Sequence, residues 1–183
     1  SAQENNERYK VLMTSTSYAS DLGDPVKYGF HFMSGPNYSE AVDVLLQYVR
    51  SNHKGGGKAR LAVIHSASEF GRDPLAHLRK RAEALGIDVV LVLEMKFSGT
   101  DVAAETIKLR QARPDYTLIH GFGGAPIFLE VMKLAKDYGL QTQFMGTFWE
   151  SSRTLMKRAG PAADGFLGVS NYAWVTTGSN APM

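Results

Sequence analysis

The 183-residue sequence contains no cysteine. That removes disulfide frameworks, thiolate metal sites and cysteine nucleophiles together, and leaves the redox compartment open. It also lacks an excess of either charge, with 20 lysines and arginines against 18 aspartates and glutamates, a net of +2. The longest basic run, Arg79 to Arg81, sits among Ala, Leu and Glu at helical spacing and reads as one solvated helix face, so a nucleic-acid partner is not expected. No apolar run approaches the roughly 20 residues that a membrane-spanning helix requires, and Ser1 to Asn6 has none of the charged-then-apolar order of an export signal.

Chemical signatures are equally sparse. The run His120-Gly-Phe-Gly-Gly has glycines that would let backbone N–H groups approach an anion, but no Lys-Ser/Thr follows it and no Gly-x-Gly-x-x-Gly occurs, so it reads as a strand-to-helix turn. No Gly-x-Ser-x-Gly elbow is present to mark a hydrolase nucleophile. His65 and His120, with Glu69 or Glu150 as a carboxylate, lack the dense spacing of a metal centre and read as hydrogen-bonded supports. No cofactor and no metal are expected.

What the chain has is alternation. Hydrophobic residues make up 44% of it, enough for a sizeable core. Val11 to Met13 reads as a short strand, and Ser39 as the cap of a helix running to Ser51 with Val42, Leu45, Leu46 and Val49 on its apolar face. Leu61 to His65 is a continuous β-rich run, as expected of a parallel strand covered on both faces. Asp73 as cap and Pro74 at the first helical position open a helix that ends near Gly86. The cycle repeats with a strand over Asp88 to Glu94, a helix from Thr100 or Asp101 to Ala112, a strand over Asp115 to Ile119 and a helix from Pro126 to Tyr138. A strand over Gln143 to Met145, a helix from Ser151 or Ser152 to Ala159 and a strand over Gly165 to Ser170 complete it.

This order predicts an α/β fold, an open doubly wound parallel sheet flanked by helices. Such sheets bind ligands at the carboxyl ends of their strands. The segments there are rich in hydroxyls, glycines and aromatics, the lining of a small-molecule cleft. The candidate ligand-binding residues are therefore Ser15, Thr16, Ser17, Ser66, Phe70, Phe122, Trp149 and Glu150. The hydroxyls of Ser15, Thr16 and Ser17 suit a ligand carboxylate. Trp149 beside Glu150 suits an apolar ligand body that carries an amino group.

Leu61 to His65 followed by Glu69-Phe-Gly-Arg resembles a strand and aromatic-Gly turn of the leucine/isoleucine/valine-type periplasmic solute-binding proteins. Thr142 to Gly146, and Ala159 to Gly168, resemble that family's closing run, while Val11 to Ser17 and Tyr28 to Phe32 resemble its crossing from first lobe to second. The resemblance implies one lobe of a type I binding-protein fold: residues 1–34 the end of the first lobe and the hinge crossing, 35–170 the second lobe, and 171–183 a truncated return passage through Asn171 to Trp174. It implies a trimmed or partial chain, a periplasmic location, a small-molecule ligand, delivery to an ABC transporter permease and no chemistry. An unpaired first-lobe segment, Glu7 to Ser20, is expected to be mobile or paired with a second chain.

Two departures bear on the ligand. The family usually has tyrosine where this chain has Phe70, and its amine-binding acid follows the Phe-Met-Gly run at once, whereas Glu150 comes after Thr147, Phe148 and Trp149. The ligand stays open between an amino acid and an aromatic acid. A doubly wound small-molecule enzyme is the remaining alternative. A sugar-repressor-like effector domain would call for a helix-turn-helix and basic patch, and Ser1 to Lys10 supplies neither.

Overall fold

The computed structural model describes residues 2–172. Its centre is a five-stranded, wholly parallel sheet in the order β2-β1-β3-β4-β5. The strands are β1 (Arg60–Ser66), β2 (Asp88–Met95), β3 (Tyr116–His120), β4 (Gln143–Gly146) and β5 (Leu167–Gly168). Around them lie α1 (Ala2–Tyr9), α2 (Tyr38–Asn52), α3 (Glu69–Arg72), α4 (Leu75–Ala84), α5 (Val102–Ala112), α6 (Ile127–Asp137) and α7 (Arg153–Ala159).

The pleat sends successive strand residues to opposite faces, and each face meets its own helical layer. Leu61, Val63, Leu118 and Met145 pack against α2 and α4 through Val42, Leu46, Val49 and Leu78. Ala62, Ile64, Ile119 and Phe144 pack against α5, α6 and α7 through Leu109, Phe128, Met132 and Leu155. Both faces of β1 and β3 are buried, which is why those strands carry no polar alternation.

Several helix boundaries differ from the sequence expectation for local reasons. Asn37, not Ser39, caps α2: its side chain accepts from Glu40 N at 2.9 Å while Asn37 N donates to the Glu40 carboxylate at 2.8 Å, a reciprocal capping box. Asp73 closes α3 as its C-cap, Asp73 N donating to Glu69 O, and does not open α4, whose N-cap is Pro74. The Asp73 carboxylate instead accepts from Ser20 N at 3.0 Å and Ser20 Oγ at 2.6 Å. Asp101 does cap α5, accepting from Ala104 N at 3.0 Å.

The expected strand at Val11 to Met13 reduces to one parallel bridge between Met13 and His31, because Val11 and Leu12 find no neighbouring strand and stay exposed. Helix α1, hydrophilic throughout, was not anticipated; Glu7 on it accepts from Phe30 N at 3.1 Å. The segment after the bridge is tied to the main body rather than left for a second chain. Tyr38 N donates to Tyr18 O at 2.9 Å, Ser20 is held by Asp73, and Leu22 is buried. The expectation for Glu7 to Ser20 is corrected accordingly at its carboxyl end. Ala173 and Trp174 lie outside the described residues.

Leu118 sits on the central strand with no solvent exposure. Leu118→Ala is expected to lower unfolding free energy by about 2–5 kcal/mol in a denaturant titration. Val26→Ala, at a position 95% exposed, is expected to change it by no more than about 0.5 kcal/mol.

Candidate functional site

The strand order reverses direction between β1 and β3, since the chain moves outward from β1 to β2 and then returns to the other side. In open parallel sheets ligands commonly bind outside the carboxyl ends of the strands near such a point. His65, next to last on β1, is in register with His120, the last residue of β3. The loops that follow approach each other very closely: a Cβ on Gly121, whose φ is +89°, would lie 2.5 Å from Gly71 Cα, and one on Gly71 would lie 2.3 Å from Ser66 O. Two loops carrying side chains at these positions cannot meet this way.

An aromatic cluster covers this end of the sheet. Tyr38 lies 4.9 Å from Phe70, 5.1 Å from the His120 ring and 5.8 Å from Phe148, with the Phe148 ring stacked. Tyr18 meets Phe148 edge-on at 5.0 Å and Trp149 at 6.4 Å. The cluster leads into a cleft of about 690 Å³ beyond the ends of β4 and β5, whose lining includes Tyr18, Phe148, Trp149, Phe166 and Met156 with Ser151, Ser152, Arg153, Thr154 and Asn171. That volume and mixture belong to a small-molecule site. Two atoms on residues of this lining, Trp149 Nε1 and Asn171 Oδ1, are shielded from solvent and have no hydrogen-bond partner among the described residues. Unpaired buried polar atoms are uncommon in folded proteins, and here one is a donor and the other an acceptor.

Phe148 and Trp149 owe their presentation to a turn. Glu150 N donates to Thr147 O at 3.1 Å, closing a four-residue turn with the two aromatics at its centre. The corners, Thr147 and Glu150, are completely buried. Glu150 Oε1 accepts from Phe122 N at 2.9 Å, and its Oε2 lies 2.7 Å from Thr147 Oγ1. Thr147 Oγ1 lies 2.9 Å from His120 Nδ1, and His120 Nε2 donates to Phe70 O at 3.0 Å. Burial pushes the Glu150 carboxyl up to about 7 against the opposing pull of its hydrogen bonds, and holds His120 down to about 4.

The sequence-derived candidates thus divide by depth. Phe70 and Trp149 join one aromatic cluster on the same end of the sheet. Ser66, Phe122 and Glu150 do not reach its surface. Ser66 is fully buried, with Oγ 2.7 Å from Ser68 Oγ, and Phe122 packs into the core on Phe128 at 5.9 Å. Glu150 is spent on internal bonds instead of facing a ligand amine, because the turn that exposes Trp149 drives the next residue inward. Ser15 Oγ donates to Ser17 O at 3.1 Å, a local turn bond, and Thr16 and Ser17 are exposed. Tyr18 and Tyr38 were missed. Neither follows a sheet strand, and only the contact between the early segment and α2 brings them in. His65 and His120, weighed as metal ligands, are instead engaged by the Ser66 carbonyl and by Thr147 and Phe70.

Comparison with known proteins bears on this geometry. The sequence model of a family described as periplasmic binding protein matches residues 2–182. A Leu/Ile/Val/Thr-binding protein of Salmonella typhimurium is 21% identical over 175 residues, 96% of this chain and 41% of the relative. A crystal structure of a branched-chain amino acid ABC transporter protein from Thermus thermophilus with bound valine superposes with a TM-score of 0.81 at 28% identity, covering 91% of this chain and 42% of that one. A solute-binding protein from R. palustris in complex with 4-hydroxybenzoate superposes with a TM-score of 0.71 at 18% identity, covering 88% and 43%. The chain spans less than half the length of each of these proteins.

The close approach of the two loops at the switch point is directly testable. Gly121→Ala combines a left-handed backbone with a clash against Gly71 and is expected to cost at least about 1 kcal/mol in thermal or denaturant unfolding.

Proposed function

Since the chain belongs to the periplasmic binding protein family, whose model matches residues 2–182, we propose that it forms most of one lobe of an extracytoplasmic solute-binding component of an ABC transporter. Its task is to bind a small carboxylate-bearing ligand without altering it and to present that ligand to a permease. The division at about residue 34 between first lobe and second, and a return passage beyond residue 170, are part of this proposal. The observation that carries it is the cleft at the carboxyl ends of a parallel sheet, lined by aromatic and hydroxyl-bearing residues.

Branched-chain amino acids are the first ligand class, supported by what the Salmonella and Thermus relatives are named for binding. An aromatic carboxylate is the second, and one feature favours it. Tyr18, Phe148 and Trp149 supply ring faces at the cleft, whereas the carboxyl group nearest them, that of Glu150, is closed off from any ligand ammonium.

A clam-type site derives its affinity from two walls closing over the ligand, and this chain brings mainly one. Titration calorimetry with valine, phenylalanine and 4-hydroxybenzoate is therefore expected to show weak binding to the isolated chain. Mass spectrometry of small molecules that co-purify with it identifies the class. Trp149→Ala is expected to weaken whichever ligand binds by at least about tenfold, about 1.4 kcal/mol. An unchanged affinity would remove Trp149 from the site, and turnover of any of these compounds would replace the binding reading with an enzymatic one.

A further inference from the structure

The bonds behind the aromatic cluster can be counted for protons, and the count does not close with every group in its ordinary state. Phe70 O only accepts, so His120 Nε2 carries a hydrogen and donates to it. Thr147 Oγ1 then stands between His120 Nδ1 at 2.9 Å and Glu150 Oε2 at 2.7 Å with a single hydroxyl proton for two short contacts. A neutral imidazole and an ionised carboxylate would leave one of them as two lone pairs face to face. One more proton is needed, on Oε2 or on Nδ1.

We propose that this proton resides on Glu150, so that a neutral carboxyl donates to Thr147, Thr147 donates to His120 Nδ1 and His120 donates to the Phe70 carbonyl, making Glu150 a positioning residue for the ligand-facing turn. The alternative, an imidazolium and a carboxylate separated by the hydroxyl, puts two charges in a fully buried place. Glu150 acts through what it holds. Its Oε1 accepts from Phe122 N in the loop after β3, Oε2 fixes the corner Thr147 in the turn after β4, and the relay ends on Phe70 in the loop after β1. The segments that follow β1, β3 and β4 are thus joined by one chain of bonds running in one direction. Phe148 and Trp149 sit between its two buried corners.

The groups that face this chain do not supply a competing charge. Burial and hydrogen bonds, not a charged neighbour, set the acidity of Glu150. On the neighbouring strand β1, His65 lies beside His120 and would oppose a positive charge there, while Glu94 on β2, near His65, is itself paired with Arg72 at 2.7 Å. The assignment therefore predicts a sign. Folded Glu150 keeps its proton to about pH 7 where an ordinary glutamate loses it near 4.5, so across that window the folded state holds one proton more than the unfolded state and stability falls as pH rises. Folded His120 takes a proton only near pH 4, against 6.5 ordinarily, so its own contribution rises with pH between those values.

Glu150→Gln separates the two. Besides the Phe122 and Thr147 bonds, the carboxyl is approached by the backbone N–H of Glu150 and Gly123; glutamine can accept from backbone N–H through its oxygen and donate to Thr147 through its amide, and it has no proton to lose. The proposal rests on the ligand meeting the ends of β1, β3 and β4, but its primary readouts need no ligand: nitrogen NMR of the His120 ring in the wild-type chain, and thermal unfolding of wild type, Glu150→Gln and Glu150→Leu from pH 4.5 to pH 8. Expected are a neutral His120 ring protonated on Nε2 alone at pH 6, a Glu150→Gln variant that melts with or above wild type, and a difference in its favour that grows as pH rises to about 7 and then levels. Glu150→Leu is expected to melt lower at every pH. A doubly protonated His120 ring at pH 6, or Glu150→Gln destabilised as much as Glu150→Leu, would overturn the proposal. Failure of every ligand to bind while these results hold would count against the binding reading alone.

Discussion

The aromatic end of this molecule depends on how one short turn is anchored. Thr147 and Glu150 close it through a backbone bond and disappear into the interior, and the two residues between them, Phe148 and Trp149, are thereby forced outward. The turn keeps its orientation because its buried corners are bonded to the loops after the two preceding strands of the sheet, through Phe122 N on one side and through His120 to the Phe70 carbonyl on the other. A polar group taken from water must be matched bond for bond, so these contacts specify one arrangement of three loops where apolar packing would tolerate several.

The sheet makes that arrangement possible. Parallel strands with both faces covered end together at one edge; the segments after β1 and β3 close on each other there, and the cleft opens beside them, beyond the ends of β4 and β5. The two core clusters pack on the sheet from opposite sides. Gly71 and Gly121 bring the segments after β1 and β3 into backbone contact, and the early segment lays Tyr18 over the result, Tyr18 O accepting from Tyr38 N and Tyr18 N donating to the Tyr38 hydroxyl. A cleft lined by rings and hydroxyls is what remains.

Much of the architecture was legible in the sequence because its signals are local. Runs such as Leu61 to His65 need only their own composition to declare a doubly covered strand, and the helices on either side carry their apolar faces at helical spacing. Depth within the site was not legible. Trp149 and Glu150 are adjacent in sequence and follow the same strand, yet the tight turn sends one to the cleft and the other to the core, and nothing in the order Thr-Phe-Trp-Glu marks which. Phe122 was misplaced for the same reason, since its loop continues into α6 and its ring follows Phe128 inward. Tyr18 and Tyr38 escaped notice because their role comes from a contact between an irregular segment and a helix start, which no periodicity records. The capping box at Asn37 and Glu40 was there to be read, and Ser39 obscured it.

We propose that small molecules meet this chain at the aromatic end of its sheet. The most direct measurement is a nitrogen-proton NMR titration of the chain with 4-hydroxybenzoate and, separately, valine, at concentrations high enough to register weak binding. The account predicts that at least one of them moves the Trp149 indole N–H together with the backbone amides of Tyr18, Phe148 and Asn171. Shifts confined to the opposite end of the sheet, around Arg110, Arg113 and Asp115, or a Trp149 signal that stays fixed under both ligands, would contradict it.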